Sequence, residues 1–180
     1  MSKTTEEQYN SVIQACKDIF EKKNKDYDTA WRILRLPSFT DQIMIKARRI
    51  RTIQGKPKRV QEGIVDELVG IVNYTLLALI QASLAEDKRL NIPYDELDKR
   101  YDDASEGIMR LLANKNHDYG EAWRDMRVSS MVDIILMKLL RIKKIEENGG
   151  KTLISEGIKE GYRDIVNYAV FSLIQLSYPH

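Results

Sequence analysis

Apolar residues along this chain recur at helical spacing. No segment sustains the two-residue alternation that, with turn signals, marks a strand. The clearest stretch lies near the C-terminus. There Ile158, Tyr162, Ile165, Val166, Ala169 and Leu173 share one face of a helix. Glu156, Glu160, Asp164 and Asn167 form a second, narrow stripe within about 80° of one another. The pattern predicts a first helix over Glu6–Lys23, a short helix over Thr29–Leu34, a helix opening at Ser38-Phe39-Thr40-Asp41, and a long one from Val60 to Glu86. The same four elements recur at Tyr94–Asn114, at Glu121–Met126, from Ser130-Met131-Val132-Asp133, and over Leu153–Ser177, where Pro179 stops the last. Both S-x-x-D tetrapeptides are expected to cap a helix start.

The recurrence extends to the letters. A shift of 92 aligns residues 23–53 with 115–145 at 15 identities in 31. A shift of 94 aligns 62–81 with 156–175 at 10 in 20. Chance does not produce this, so the chain reads as two copies of one unit, residues 1–90 and 91–180, joined near Leu90-Asn91-Ile92-Pro93. The two extra residues are expected at the turn signal Asn148-Gly149-Gly150. The fold class is all-α: a duplicated helical bundle with pseudo-twofold symmetry, about three long helices and one short helix per repeat, packed as one compact body.

The acidic stripe carries the candidate chemistry. Its counterparts in the first copy are Glu62, Asp66, Gly70 and Asn73. The stripe turns apolar at Phe171 and Ile174, and at Leu77 and Ile80, so it is expected to face another helix. Carboxylates facing protein need a counter-charge. One source is the preceding helix, with Lys46-x-x-Arg49 and Lys138-x-x-Arg141, giving an interhelical salt-bridge network. The other is Mg²⁺, which takes carboxylate oxygens and leaves the basic residues to hold phosphate. Both readings stay open at this stage.

The most repeated stretch is KNKDYDTAW at 23–31 and KNHDYGEAW at 115–123. Asp118 with Glu121, and Asp26 with Thr29, are expected to cap the short helices. Tyr27 and Trp31, like Tyr119 and Trp123, stand four apart and are expected to share a side. A packing plug explains the aromatics. A binding role uses the same rings to stack a base, with Lys23 and Lys115 on phosphate.

Composition narrows the classes. Hydrophobic residues at 43% and charged residues at 31% suit an ordinary globular protein. A net charge of +2 makes nucleic acid an unlikely partner, and the basic run Arg48, Arg49, Arg51, Lys56, Lys58, Arg59 is most simply a solvated face. The lone Cys16 cannot form an internal disulfide, and it makes no zinc site with His117 and His180. The polar MSKTTEEQ start lacks the apolar core of a signal peptide, and IVNYTLLALIQASLA is shorter than a membrane span. A cytoplasmic protein without a membrane partner is expected. No Walker-type glycine loop or Gly-x-Ser-x-Gly elbow is present.

K-N-x-D-Y-x-x-A-W, then K-x-x-R-I, then E-G-I-x-[DE] and I-V-N-Y, resembles the first nucleotide-modification-associated domain family, in two tandem copies. The resemblance implies a context of nucleotide or DNA-base modification and names no reaction. A weaker similarity is to the MazG-like all-α nucleoside triphosphate pyrophosphohydrolases, helical bundles that hold Mg²⁺ with E-E-x-x-E and E-x-x-D elements. Here the second element is split. The first copy has Glu67 with Gly70, the second Asp164 with Gly161, and no E-E-x-x-E stands in the helix before.

The expectation is therefore a nucleotide or phosphate-compound binding protein. If it is an enzyme, the resemblance implies Mg-dependent pyrophosphohydrolysis. Glu156, Glu160 and Asp164 would then hold metal, with Lys138 and Arg141 on phosphate. Lys115, Asn116, Asp118, Tyr119, Trp123 and Asn167 would line the substrate end. The corresponding set in the first copy is Lys23, Asn24, Asp26, Tyr27, Trp31, Lys46, Arg49, Glu62, Asp66 and Asn73. The rivals are a non-catalytic helical scaffold or binding module, and a nucleic-acid adaptor using the basic run. A homo-oligomer is compatible with each.

Overall fold

The computed structural model describes residues 3–55, 60–119, 121–152 and 157–180, with side chains for all of these except 60–61 and 115–119. Among the described residues there are six α-helices, two short 3-10 helices and no strand. The α-helices are α1 (Lys3–Tyr27), α2 (Leu36–Gln54), α3 (Val60–Ser83), α4 (Tyr94–Tyr119), α5 (Val128–Glu147) and α6 (Ile158–Gln175). The short helices, Ala30–Ile33 and Ala122–Asp125, follow α1 and α4. Each copy thus supplies three long helices and one short one, in the same order.

Helices α2, α3, α5 and α6 form the centre, with α2 on α3, α5 on α6, and the two pairs joined through α3–α6 and α2–α5. The outer helices cross over. Helix α1 packs chiefly on α6 of the other copy, and α4 chiefly on α3. Buried Tyr9, Val12, Ile13, Cys16 and Phe20 give α1 the single apolar stripe that such docking requires. Helix α3 meets α1, α2, α4 and α6, and so is apolar almost all round. From Glu62 to Ser83 it has the length and hydropathy of a membrane span, longer than the apolar stretch read from the sequence, but most of it is buried in the protein.

The halves are stitched by pairs that obey the internal symmetry. Arg51–Asp133 (3.6 Å) and Lys143–Asp41 (3.3 Å) join α2 to α5, and a shift of 92 carries one pair onto the other. Deeper, Tyr9 donates to Asn167 Oδ1 at 2.8 Å and Tyr101 to Asn73 Oδ1 at 2.7 Å, each from one copy to the other. Both tyrosines are fully buried, so each hydroxyl needs such a partner. The third fully buried tyrosine, Tyr162, shares a 2.6 Å hydrogen bond with Thr40.

Several expected helix boundaries are corrected. Helix α1 continues past Lys23 to Tyr27, and α4 continues past Asn114 to Tyr119, because the polar Lys-Asn-x-Asp run contains no breaker. Asp26 and Asp118 therefore lie inside the final turns of α1 and α4, and the capping expected of the Asp118 side chain lies outside the described residues. The chain leaves α1 at Asp28, whose φ of 52° is a left-handed conformation that Asp tolerates. That break also separates Tyr27 from Trp31, so their four-residue spacing does not put them on one side. The short helices start at Thr29 and Glu121 without side-chain caps. The S-x-x-D segments are not caps either. Helices α2 and α5 begin earlier, after Arg35 and Arg127, and Pro37 sits in the first turn of α2, where its missing N–H costs nothing. Asp41 and Asp133 are free for the cross-copy ion pairs. The Asn148-Gly149-Gly150 turn is as expected: both glycines have positive φ, 68° and 84°, and Gly150 N–H closes on Ile145 O at 2.8 Å.

Candidate functional site

The repeated motif is held by a residue the sequence reading did not assign a role. Gln175, at the end of α6, donates to the carbonyls of Trp123 (3.2 Å), Arg124 (2.8 Å) and Met126 (3.3 Å). Its counterpart Gln81 donates to Arg32 O (2.9 Å) and Leu34 O (2.8 Å). Each glutamine thus satisfies carbonyls that a short helix leaves open. The signal was present, since both glutamines end the identical LIQ of the two copies.

The arginine after each tryptophan completes the anchor. Arg32 donates to Arg89 O (2.9 Å), Asp87 O (2.5 Å) and Gln81 Oε1, tying the first short helix to the connection between the copies. The Thr29 hydroxyl adds a bond to Leu90 O at 2.5 Å. Arg124 instead reaches Glu121 (2.6 Å), and Thr5 and Gln8 of α1 (2.7 Å each). Asp87 is held down to about 2 by its side-chain and backbone hydrogen bonds from Arg89.

The tryptophans differ in availability. Trp123 is buried, stacked parallel on Phe171 at 4.4 Å, with the Arg124 guanidinium 4.4 Å from its ring centre. Both faces are occupied, so this ring is not presented to a base. Its buried Nε1 has no hydrogen-bond partner among the described residues. Trp31 is half-buried, edge-on to Phe39 at 6.4 Å. Lys23, Asp26 and Tyr27 are exposed, and Asn24 is half-buried with a buried Oδ1 that accepts no hydrogen bond among the described residues. The side chains of Lys115, Asn116, Asp118 and Tyr119 lie outside the described residues, as do Glu156 and the basic-run residues Lys56, Lys58 and Arg59.

The acids meet lysines. Asp164 on α6 accepts from Lys138 Nζ of α5 at 2.9 Å, each side chain about one-fifth exposed. In the first copy the equivalent Lys46 pairs with Glu67 at 3.7 Å, joined by Arg49 at 3.6 Å. The acid has moved by one turn, and glycines make room for the move. Gly70 stands where the second copy has Asp164, and Lys46 atoms lie 3.0 Å from where a Cβ would be. Gly161 stands where the first copy has Glu67, and the Ile142 side chain fills that space at 3.0 Å. Arg141, lacking a Glu67 equivalent, is exposed with no ion pair among the described residues.

The rest of the stripe disperses. Glu62 and Asp66 are exposed, and Glu160 makes a 3.8 Å contact with Arg163. Asn167 accepts from Tyr9. Asn73 is buried, accepting from Tyr101 and donating to Cys16 O at 3.0 Å. Among the described residues no three acidic, histidine or cysteine side chains converge on one point. The Lys138 ammonium already sits against the Asp164 carboxylate, where a cation would have to bind. Of the three expected ligands, Asp164 is paired with Lys138, Glu160 lies beside Arg163, and Glu156 lies outside the described residues.

A second polar cluster breaks the internal symmetry. Thr40 lies between the Tyr162 hydroxyl (2.6 Å) and Glu146 Oε2 (3.1 Å), at the α2–α5–α6 junction. The corresponding residues of the other copy are Val132, Leu68 and Gln54. Burial raises Glu146 above its usual range, while the Thr40 hydrogen bond opposes the shift. Burial likewise raises Tyr162 to about 12, and the Cys16 thiol also to about 12.

Comparison with known proteins gives one family. The family described as nucleotide modification associated domain 1 matches residues 23–82 and again 115–176. No curated protein and no solved structure matches the chain. The matched segments take in both KN-x-DY motifs, both Lys–acid seams and both anchoring glutamines. With well over half its length matched, in two tandem regions, the chain belongs to the nucleotide modification associated domain 1 family.

Proposed function

We propose that this protein is a non-catalytic binding module for a phosphate-bearing compound of the nucleotide class. The observation that carries the reading is the Lys138–Asp164 pair at 2.9 Å, with Lys46 and Arg49 on Glu67 as its counterpart. A hydrolase of the metal-dependent kind needs open carboxylates to hold its cation and free basic groups to take phosphate. Here Asp164 is neutralised by Lys138 across the α5–α6 seam, and Glu67 by Lys46 and Arg49 across the α2–α3 seam. The cross-copy Tyr–Asn bonds make the duplicated unit a preformed scaffold, which favours binding because less ordering accompanies it. The family's association with nucleotide modification supports choosing a ligand of the nucleotide class.

The test is a panel of nucleoside triphosphates with Mg²⁺ or Mn²⁺, read for released pyrophosphate. The expected result is no release above the protein-free rate for any triphosphate. Release that Asp164→Asn abolishes would overturn the reading in favour of pyrophosphohydrolysis.

A further inference from the structure

The two copies also differ where the outer helix of one packs on the last helix of the other. In the first copy Val65 and Val69 of α3 are buried, as are Val12 and Cys16 of α1. The shifts that align the copies put Lys159 and Arg163 of α6 at the valine positions, and Ala104 and Ile108 of α4 at the other two. There the seam stands open, as a groove of about 360 Å³ between α3, α4 and α6. That falls within the range of about 300–1,000 Å³ typical of small-molecule sites.

The lining joins an apolar wall to three cations. Leu79, Ile108 and Leu111 form an aliphatic wall, while Arg100, Lys159 and Arg163 face one acid, Asp103. Asp103 is already paired with Lys99 at 2.8 Å. Among the described residues Arg163 has a 3.8 Å contact with Glu160 as its ion pair. Arg100 reaches Glu96 at 3.2 Å and the Ser83 hydroxyl at 3.4 Å, and Lys159 makes no ion pair among the described residues. Gly107 adds room, since a Cβ there would meet nothing nearer than Arg110 at 3.9 Å. In the first copy the residues matching Arg100, Lys159 and Arg163 are Gln8, Val65 and Val69, so the charge belongs to this groove alone. The duplicated unit has exchanged two core valines for two cations beside a greasy wall. Such a surface is complementary to a ligand with an anionic end and a flat or apolar end.

We propose that this groove binds a nucleoside phosphate. The phosphate lies on Arg163, Lys159 and Arg100, where guanidinium groups match its oxygens in charge and geometry. The base and sugar lie on Leu79 and Leu111, the latter 46% exposed without ligand. This rests on the binding-module reading and names its site.

The experiment is isothermal titration of dTMP, dAMP and inorganic phosphate, in metal-free buffer, into wild type, the Lys159→Val/Arg163→Val double variant and Arg100→Gln. Wild type binds a nucleoside monophosphate more tightly than inorganic phosphate. The double variant carries the first copy's own residues, so it closes the seam, melts at higher temperature and loses binding. Arg100→Gln folds as wild type and binds about tenfold more weakly, the loss expected for one charge-assisted hydrogen bond. No binding to wild type, undiminished binding by Arg100→Gln or by a folded double variant, or phosphate binding as tightly as the nucleotides, each overturns the proposal. A failed titration with no triphosphate hydrolysis sinks the groove alone. Hydrolysis that Arg100→Gln leaves intact sinks the wider reading.

Discussion

The Tyr101 hydroxyl donates to Asn73 Oδ1 at 2.7 Å, joining the first helix of the second copy to the last helix of the first. Tyr9 and Asn167 repeat the bond in the opposite sense. The two copies therefore exchange outer helices, each one's leading helix completing the other's core. Tyr101→Phe keeps the ring and leaves a buried amide oxygen unsatisfied, which costs about 1–3 kcal/mol. Tyr9→Phe should cost less, about 1 kcal/mol, because half-buried Asn167 can recover water. Denaturant midpoints measured by helical signal check both the sizes and the order. Equal, negligible losses would mean that the bonds do not stitch the copies.

Gln175 carries three carbonyls of the second short helix on one amide. Gln175→Ala should destabilise the protein by about 1–2 kcal/mol, since those carbonyls lose their shared donor. It should also loosen Trp123 from Phe171. With Trp31→Phe as background, Trp123 is the sole indole, and its emission is expected to shift to longer wavelength. Unchanged emission would show that the stack holds without the glutamine.

The Lys138–Asp164 pair makes an asymmetric prediction. Lys138→Met takes the ammonium away from a carboxylate that is four-fifths buried and should cost about 2 kcal/mol, below the about 3–5 of a fully buried pair. Asp164→Asn should cost less, near 1 kcal/mol, because the lysine stem can carry its ammonium to water. Thermal melts of the two variants give the ordering, and the reverse order would place the carboxylate in a better-solvated position than the geometry does.

Much of the fold is legible in the sequence because it rests on period. The apolar spacing on α6 and the doubled letters suffice for an all-α duplication. The KN-x-DY runs mislead because polarity alone does not end a helix, and the stop at Asp28 is made by backbone conformation, with no glycine to announce it. The S-x-x-D segments mislead because Pro37 and its neighbours start α2 earlier. The Lys–acid seam is legible as one of two readings. Which acid meets the lysine is not, because it turns on Gly70 and Gly161 making room one turn apart. The Tyr–Asn bonds are invisible for a different reason. They join helices of different copies, and no local pattern says which face meets which partner.

Glu146 sets a pH signature. Its carboxyl is raised chiefly by burial, so between its unfolded and folded values the native state holds a proton that the unfolded state has lost. Its contribution to stability is therefore complete below the unfolded value and fades as pH rises through the folded one. Glu146→Gln keeps a group able to bond Thr40 and removes that fade. The stability gain of the variant over wild type should grow as pH rises from about 4 to about 7. Melting curves across that range test it, and a gain that shrinks with pH would reverse the assignment.

The α6 acids belong either to lysine or to metal. Calorimetric titration of Mg²⁺ into wild type and Asp164→Asn decides it. With Lys138 neutralising Asp164, neither protein should show saturable heat, and neither should gain thermal stability as Mg²⁺ is added. Saturable Mg²⁺ binding by wild type that Asp164→Asn abolishes would contradict it.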